Sequence, residues 1–110
     1  MRTLIQTDEY TEYYNGLPEK IRGKFDHAMN ILRSIDVPNS KFVKKLVNTD
    51  FYEMRVSVDK NEYRTILFTI DNDNIVNATQ ILLLNAFMKK STKDYKKQLE
   101  IADNILKRFE

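Results

Sequence analysis

The stretch ILLLNAFMKKSTKDY, residues 81–95, carries the structural signals around which the rest of the chain is arranged. Its first part, Ile81–Phe87, has the length and the apolar content of a buried β-strand. A lysine pair follows, and Ser91 with Asp94 three residues later is typical of a helix N-terminus. A buried strand, a cationic corner and a helix N-terminus therefore meet here. Such a corner is suited to binding phosphate, because the first backbone N–H groups of a helix are free.

Three helices are predicted, two before this stretch and one that begins in it, because apolar residues recur three and four positions apart. In the last helix, the apolar stripe consists of Tyr95, Leu99, Ala102, Leu106 and Phe109. Near the N-terminus, Thr7 is suited to cap a first helix, which Gly16 ends. A second helix is expected to begin at Pro18, with a stripe of Ile21, Phe25, Ala28, Leu32 and Ile35. The short link between the first two helices predicts a helical hairpin.

The segment between the hairpin and residue 81 changes to a period of two, which is typical of β-strands. Residues 51–58 and 62–70 form two such segments, joined by a polar turn. We expect Ile75–Val76 to begin the next strand early, ahead of its main part at Ile81–Phe87.

With Thr3–Ile5 as a short opening strand, the order is strand, two helices, a three- or four-stranded meander and a helix. The sequence therefore predicts one α+β domain, residues 1–110, with a small antiparallel sheet.

Composition narrows the classes of protein and of site. The 110 residues include no cysteine, which excludes disulfides, zinc–thiolate sites and cysteine nucleophiles. No His/Asp/Glu cluster has metal-ligand spacing, so neither a metal nor another cofactor is expected. The N-terminus lacks the apolar core of a signal peptide, and the run Ile81–Leu84 is too short to span a bilayer. We expect a cytoplasmic protein without a membrane partner, and its net charge of +2 permits a nucleic-acid partner.

Basic residues provide the main functional signal. Five lysines lie around the start of the last helix: Lys89, Lys90, Lys93, Lys96 and Lys97. They are unfavourable at the positive end of a helix dipole unless an anion is bound, although a solvated lysine face explains them equally well. Arg55 and Arg64 lie on strands that are expected to pair, so they either bind phosphate or form ion pairs with Glu53 or Glu62.

Tyr95 and His27 could each transfer a proton, but each also has a position that structure alone would explain. Tyr95 belongs to the apolar stripe, but neighbouring cations can lower the pKa of a tyrosine and suit it to proton transfer. A surface of lysines and aromatic residues would also bind RNA without catalysis. His27, the only histidine, is expected on the surface of the second helix.

The order of several motifs resembles the RelE/ParE toxin superfamily, and most closely its phage-related HigB-like branch. Five segments match that branch in order and spacing: Lys45-Leu46, FYEMR (51–55), Tyr63-Arg64, AFMKKS (86–91) and Ala102. Asn85-Ala86 stands where the branch more commonly has His-Gly.

The resemblance implies the toxin of a type II toxin–antitoxin system. Such a toxin is a ribosome-dependent mRNA endonuclease that cleaves by metal-free attack of a 2′-OH on the adjacent phosphodiester. By position, Arg55 and Arg64 would bind the scissile phosphate, Lys89 would supply a further cation, and Tyr95 would be a base or a stacking platform. RNA or phosphate binding would fall to Lys44, Lys45, Lys90, Lys93 and Lys96.

The implied partners are the ribosome, mRNA and a cognate antitoxin, the last with a helix-turn-helix pattern and bound as a hetero-oligomer. Two alternatives share the fold. One is a non-enzymatic, ParE-like inhibitor of DNA gyrase, and the other is a degenerate toxin homologue that retains only antitoxin binding.

Overall fold

The computed structural model describes residues 1–109, which form five strands and three helices. In chain order these elements are β1 (Thr3–Gln6), α1 (Asp8–Asn15), α2 (Glu19–Ser34), β2 (Val43–Lys45), β3 (Phe51–Val58), β4 (Asn61–Thr69), β5 (Gln80–Met88) and α3 (Thr92–Lys107). All five strands belong to one sheet in the order β1-β5-β4-β3-β2. Strands β2 to β5 form an antiparallel meander, whereas β1 pairs with β5 in parallel. The predicted α+β class and helical hairpin are confirmed, and of the three or four strands predicted for the meander the structure has four.

The sheet separates two layers of helices, because its strands present apolar side chains to both faces. Helices α1 and α2 cover one face, where their side chains pack against Met54, Leu67 and Leu83 among others. Helix α3 covers part of the other face, where Ala102 and Ile105 pack against strand residues that include Ile66 and Leu84. A β-bulge in β5, opposite Ile66 and Leu67, locally interrupts the alternation of that strand.

The predicted helix N-termini are confirmed by side-chain hydrogen bonds. Thr7 Oγ1 accepts a hydrogen bond of 3.1 Å from the backbone N–H of Tyr10, and Ser91 Oγ accepts one of 3.2 Å from Asp94. Thr7 also donates to the carbonyl of Leu84, so the start of α1 is fixed against β5. At the other end of α3 the predicted stripe stops short, because Phe109 lies beyond the helix and is 56% exposed.

The prediction of an early strand at Ile75–Val76 is wrong. These residues lie in a turn, and β5 begins only at Gln80. The loop is held by Asp71, whose carboxylate accepts hydrogen bonds from the backbone N–H groups of Thr79 and Gln80 at 3.0 and 2.9 Å. Ile75 is apolar because its side chain is buried in the core beneath the loop.

Arg2 joins the N-terminus to the end of α2. Its buried guanidinium donates to the carbonyls of Leu32, Ile35 and Asp36, which lie at or just beyond the end of that helix. It also donates to the carbonyl of Ile75, with Nη2 at 3.0 Å. A positive charge is favourable at a helix C-terminus, where carbonyls lack intrahelical partners. One side chain thus connects β1, α2 and the loop before β5.

In the described part of the chain, no helix has the length and apolar content needed to cross a membrane.

Candidate active site

Arg55 on β3 and Arg64 on β4 are direct cross-strand partners. Partners in an antiparallel pair project from the same face of a sheet, so the predicted convergence of these two arginines is confirmed. Arg64 is also the register partner of Phe87 on β5, and Phe87 packs in the cluster beneath α3. Both arginines therefore lie on the α3 face, near the N-terminal end of that helix.

A buried carboxylate, that of Glu53, lies between the two arginines. Glu53 is 3% exposed and projects from the same face as Arg55, because the two residues are two positions apart on β3. Arg55 Nε and Nη2 donate to Glu53 Oε1 at 3.0 and 2.8 Å. Arg64 Nε lies 3.6 Å from Glu53 Oε2. The carboxylate offsets the repulsion between two like charges placed directly opposite each other.

The two arginines differ in burial and in hydrogen bonding. The Arg64 side chain is 6% exposed, and its Nη1 donates to the Tyr63 carbonyl at 3.0 Å and to Glu62 Oε1 at 3.3 Å. Its Nε is buried and has no hydrogen-bond partner among residues 1–109. The Arg55 side chain is 30% exposed. Arg64 is thus the inner and Arg55 the outer cation of the cluster.

Tyr95 completes the cluster from the first turn of α3. Its hydroxyl donates a hydrogen bond to Glu53 Oε2. Its ring meets that of Phe87 edge-on, with centroids 5.5 Å apart and an interplanar angle of 84°. Such a contact fixes the ring while its polar end reaches the carboxylate.

The pKa of Tyr95 is raised above its ordinary value, first by burial and then by the hydrogen bond to Glu53 and its negative charge. Arg64 and Arg55 act in the opposite direction and do not outweigh these effects. The expectation that neighbouring cations lower this pKa is therefore wrong, because burial of the hydroxyl and its contact with Glu53 outweigh the effect of the cations. Tyr95 keeps its proton at neutral pH and is suited to donate it.

The predicted lysines do not all reach this cluster. Lys44 on β2 pairs in register with Glu53, so it lies on the face of the two arginines. Lys45 pairs in register with Tyr52, and its ammonium lies 5.6 Å from the centroid of that ring, which packs in the layer of the helical hairpin. Lys45 therefore lies on the face opposite to that of the two arginines, because successive residues of a strand project from opposite faces.

Lys89 directly follows β5, and its backbone N–H donates to the carbonyl of Glu62 at 2.7 Å. Its exposed ammonium helps to lower the pKa of the Glu62 carboxyl, behind the larger effect of a hydrogen bond from Ser57. Lys89 therefore lies at the rim of the cluster, close to the carboxylate that also contacts Arg64.

A groove of about 390 Å³ adjoins the cluster on the side of α1. It is lined by Tyr13, Phe87, Met88, Lys90, Asp94, Lys97 and Gln98. Phe87 contributes to both the groove and the cluster, since its ring also contacts Tyr95. Lys93 and Lys96 are exposed on α3, outside the stripe that packs on the sheet. The groove and the exposed lysines give a basic, partly aromatic surface beside the buried charges.

Histidine chemistry is not available at the cluster. His27 is exposed on α2, which covers the opposite face of the sheet. The side-chain amide of Asn85 donates to the backbone carbonyl and to the side-chain oxygen of Gln98 at 3.2 and 3.0 Å. Asn85 therefore attaches β5 to α3. Within residues 1–109, no group of three His, Cys, Asp or Glu side chains is placed to hold a metal ion.

Sequence reasoning identified Glu53 only as an ion-pair partner for the arginines and missed its central position. The available signal was its spacing from Arg55, since two residues at i and i+2 of a strand share a face. Its burial and its contact with Tyr95, 42 positions away, depend on the packing of α3 and have no local signal.

The model of the family described as "Phage derived protein Gp49-like" matches residues 12–107. The chain belongs to this family. No curated protein matches this Gp49-like chain.

Two solved structures have a similar fold. One is a chain of the crystal structure of the intact E. coli RelBE toxin–antitoxin complex, and the other is the crystal structure of the isolated E. coli RelE toxin. Both comparisons give a TM-score of 0.59 at 14% identity. The first covers 83% of this chain and 100% of the other, and the second covers 91% and 97%. The Gp49-like chain therefore has a RelE-like fold, as its motifs predict.

Proposed function

We propose that this Gp49-like protein is the toxin of a type II toxin–antitoxin pair and acts as a ribosome-dependent mRNA endonuclease. The observation that carries the proposal is the cluster of Arg55, Arg64 and Tyr95, which converge on one carboxylate on the α3 face of a RelE-like sheet. Two arginine forks and a proton-bearing phenol are the groups that a phosphodiester transition state requires. Their common location on one face of the fold favours an enzyme over a plain RNA-binding surface.

In the proposed reaction, the 2′-OH of one nucleotide gives up its proton to a base, and its oxygen attacks the adjacent phosphorus. Arg64 and Arg55 bind the phosphate oxygens and stabilise the additional charge of the phosphorane, with Lys89 as a further cation at the rim. Tyr95 donates its proton to the departing O5′, since its raised pKa keeps the hydroxyl protonated. The products are a 2′,3′-cyclic phosphate and a free 5′-OH.

The surrounding lysines are assigned to RNA rather than to chemistry. Lys44 lies on the arginine face, Lys90 lines the groove beside Phe87, and Lys93 and Lys96 project from α3. Contacts between lysines and phosphates supply affinity that does not depend on sequence. We therefore assign these residues to contacts with mRNA and with the ribosome.

A cognate antitoxin is the proposed protein partner, since the similar E. coli RelE chain occurs in a toxin–antitoxin complex. A partner that covered the face of the two arginines would exclude mRNA and would thereby control the proposed activity.

The test is to induce the protein from a tightly regulated promoter and to map the 5′ ends of a reporter mRNA. The same mRNA is then incubated with the purified protein, with and without ribosomes. Cuts that follow the reading frame and require ribosomes are expected. Arg64→Ala is expected to abolish them, whereas Arg108→Ala, at an exposed ion pair with Glu9, is expected to keep them.

Three results would contradict the proposal. Intact mRNA in growth-arrested cells would exclude cleavage as the cause of arrest. Toxicity that persists in Arg64→Ala would favour a gyrase inhibitor acting through another surface. Normal growth on induction, with an intact antitoxin complex, would indicate a degenerate toxin.

A further inference from the structure

We infer that Glu53 has two roles, as the anion that occupies the phosphate-binding cluster at rest and as the group that accepts the 2′-OH proton during cleavage. This inference rests on the proposed endonuclease and deepens it. It concerns a buried carboxylate to which the family resemblance assigns no role.

The first step of the argument is the occupancy of the cluster. Glu53 Oε1 accepts hydrogen bonds from Nε and Nη2 of Arg55, and Oε2 faces Arg64 Nε and the Tyr95 hydroxyl. The carboxylate thus takes up the same donors that would bind two oxygens of a phosphodiester. An incoming phosphate must compete with Glu53 for them, since both are anions that match an arginine fork.

The second step is the unequal freedom of the partners. Glu53 and Arg64 are held on the sheet with side chains that are 4% and 6% exposed, whereas that of Arg55 is 30% exposed. Arg55 therefore has room to turn outward to a phosphate bound at the surface. Arg64 Nε is buried and lies 3.6 Å from Glu53 Oε2 without a hydrogen-bond partner among residues 1–109, so a phosphate that reaches it breaks no hydrogen bond of that atom. Once Arg55 turns to the phosphate, Glu53 Oε1 is free to accept a hydrogen.

The third step is the balance of bonds and protons. The 2′-OH proton passes to Glu53 as the O2′–P bond forms, and the P–O5′ bond breaks as Tyr95 donates its proton to O5′. One proton is gained by the carboxylate and one is lost by the phenol. Because the two groups are hydrogen-bonded at rest, transfer of one proton from Glu53 to Tyr95, directly or through solvent, restores both. No co-reactant is needed.

Other groups that could accept this proton are less well placed. Glu62 is half-buried at the rim, where it binds Ser57 and Arg64 Nη1. Asp94 is exposed in the first turn of α3, and His27 lies on the other layer of the molecule. In the described part of the chain, Glu53 is the carboxylate that contacts both arginines and the tyrosine.

The experiment compares Glu53→Gln with Glu100→Gln, at an exposed glutamate of α3, in two assays, after circular dichroism has verified folding. The first assay is single-turnover cleavage of mRNA on ribosomes. Glu53→Gln is expected to slow cleavage about 100-fold or more, as loss of a general base does, and Glu100→Gln is expected to stay within about threefold of wild type. The second assay is titration with inorganic phosphate. Glu53→Gln is expected to bind phosphate severalfold more tightly, because the arginines lose their competing anion.

Each outcome decides one part of the inference. A folded Glu53→Gln that cleaves at the wild-type rate overturns the proton-accepting role, and unchanged or weaker phosphate binding overturns the counter-ion role. Where Glu53→Gln fails to fold, Glu53→Asp replaces it. The aspartate side chain is one methylene shorter, which withdraws the carboxylate from the cluster. Glu53→Asp is therefore expected to slow cleavage about 100-fold, and a wild-type rate overturns the inference. A wild-type protein that cleaves no mRNA refutes the proposed function instead, and the phosphate titration still decides the counter-ion role.

Discussion

Replacement of Tyr95 by phenylalanine tests the cluster through stability alone. The change removes the hydroxyl that binds Glu53 and keeps the ring that contacts Phe87 edge-on. Because the acceptor is a buried charged group, the lost hydrogen bond is expected to cost about 1.5–3 kcal/mol. Arg55 still donates two hydrogen bonds to the same carboxylate, which keeps the expected loss near the middle of that range, at about 2 kcal/mol.

For a chain of 110 residues, a loss of about 2 kcal/mol corresponds to a decrease in Tm of about 8 °C. Thermal unfolding followed by circular dichroism at neutral pH measures it. Tyr14→Phe is the matched control, since the Tyr14 hydroxyl binds the exposed carboxylate of Asp26 and its loss is expected to cost less than about 1 kcal/mol.

A double-mutant cycle with Glu53→Gln then isolates the contact. We expect a coupling energy of about 1 kcal/mol between Tyr95 and Glu53, because residues that share a hydrogen bond are not additive. If Tyr95→Phe leaves Tm unchanged, or if the two substitutions are additive, the hydroxyl does not bind Glu53 in solution. The assignment of Tyr95 to the cluster would then be refuted.

Three further predictions concern pH, the N-terminus and the lysines. Burial raises the pKa of both Tyr10 and Tyr95, so above about pH 10 the unfolded chain loses protons that the folded chain retains. The free energy of unfolding measured with urea should therefore fall as the pH rises above about 10, and Tyr95→Phe should reduce the slope. A free energy of unfolding that does not change with pH would contradict this prediction. Arg2→Met leaves buried carbonyls without a donor and is expected to lower the free energy of unfolding by about 2–3 kcal/mol, whereas an unchanged urea midpoint would show that water replaces the guanidinium. Lys44→Ala should weaken binding to a non-cleavable RNA and Lys45→Ala should not, since of these two lysines only Lys44 projects from the face of the two arginines. Equal losses of RNA affinity in the two variants would contradict the register of β2.

The elements with a strong local pattern were predictable. The α2 stripe, the alternation of residues 51–58 and the caps at Thr7 and Ser91 are properties of short segments, and the structure confirms each of them. Strand β2 was not predicted from its pattern, since it has only three residues and two are exposed lysines. Its pairing with β3 comes from the sheet and not from its own composition.

The parts that depend on distant contacts were harder to predict. The parallel pairing of β1 with β5 joins residues 77 positions apart, and no local pattern records it. Ile75 was mistaken for the start of a strand because it is apolar. Its side chain is buried, but a residue in a loop can be buried as well as one in a strand. The convergence of Arg55 and Arg64 was predictable from strand pairing. The position of Tyr95 above Glu53 was not, because it depends on how α3 lies across the sheet.

The most direct test of the proposed chemistry uses an mRNA with a single 2′-deoxyribose at a mapped cleavage site. Ribosomes carrying this mRNA are treated with the purified protein in parallel with the all-ribose form. If a 2′-OH attacks the phosphorus, cleavage at the substituted site is lost while other sites are still cut, because the attacking oxygen is missing at that site alone. Cleavage that continues at the 2′-deoxy site would contradict the account, since the attacking oxygen would then come from water or from the protein.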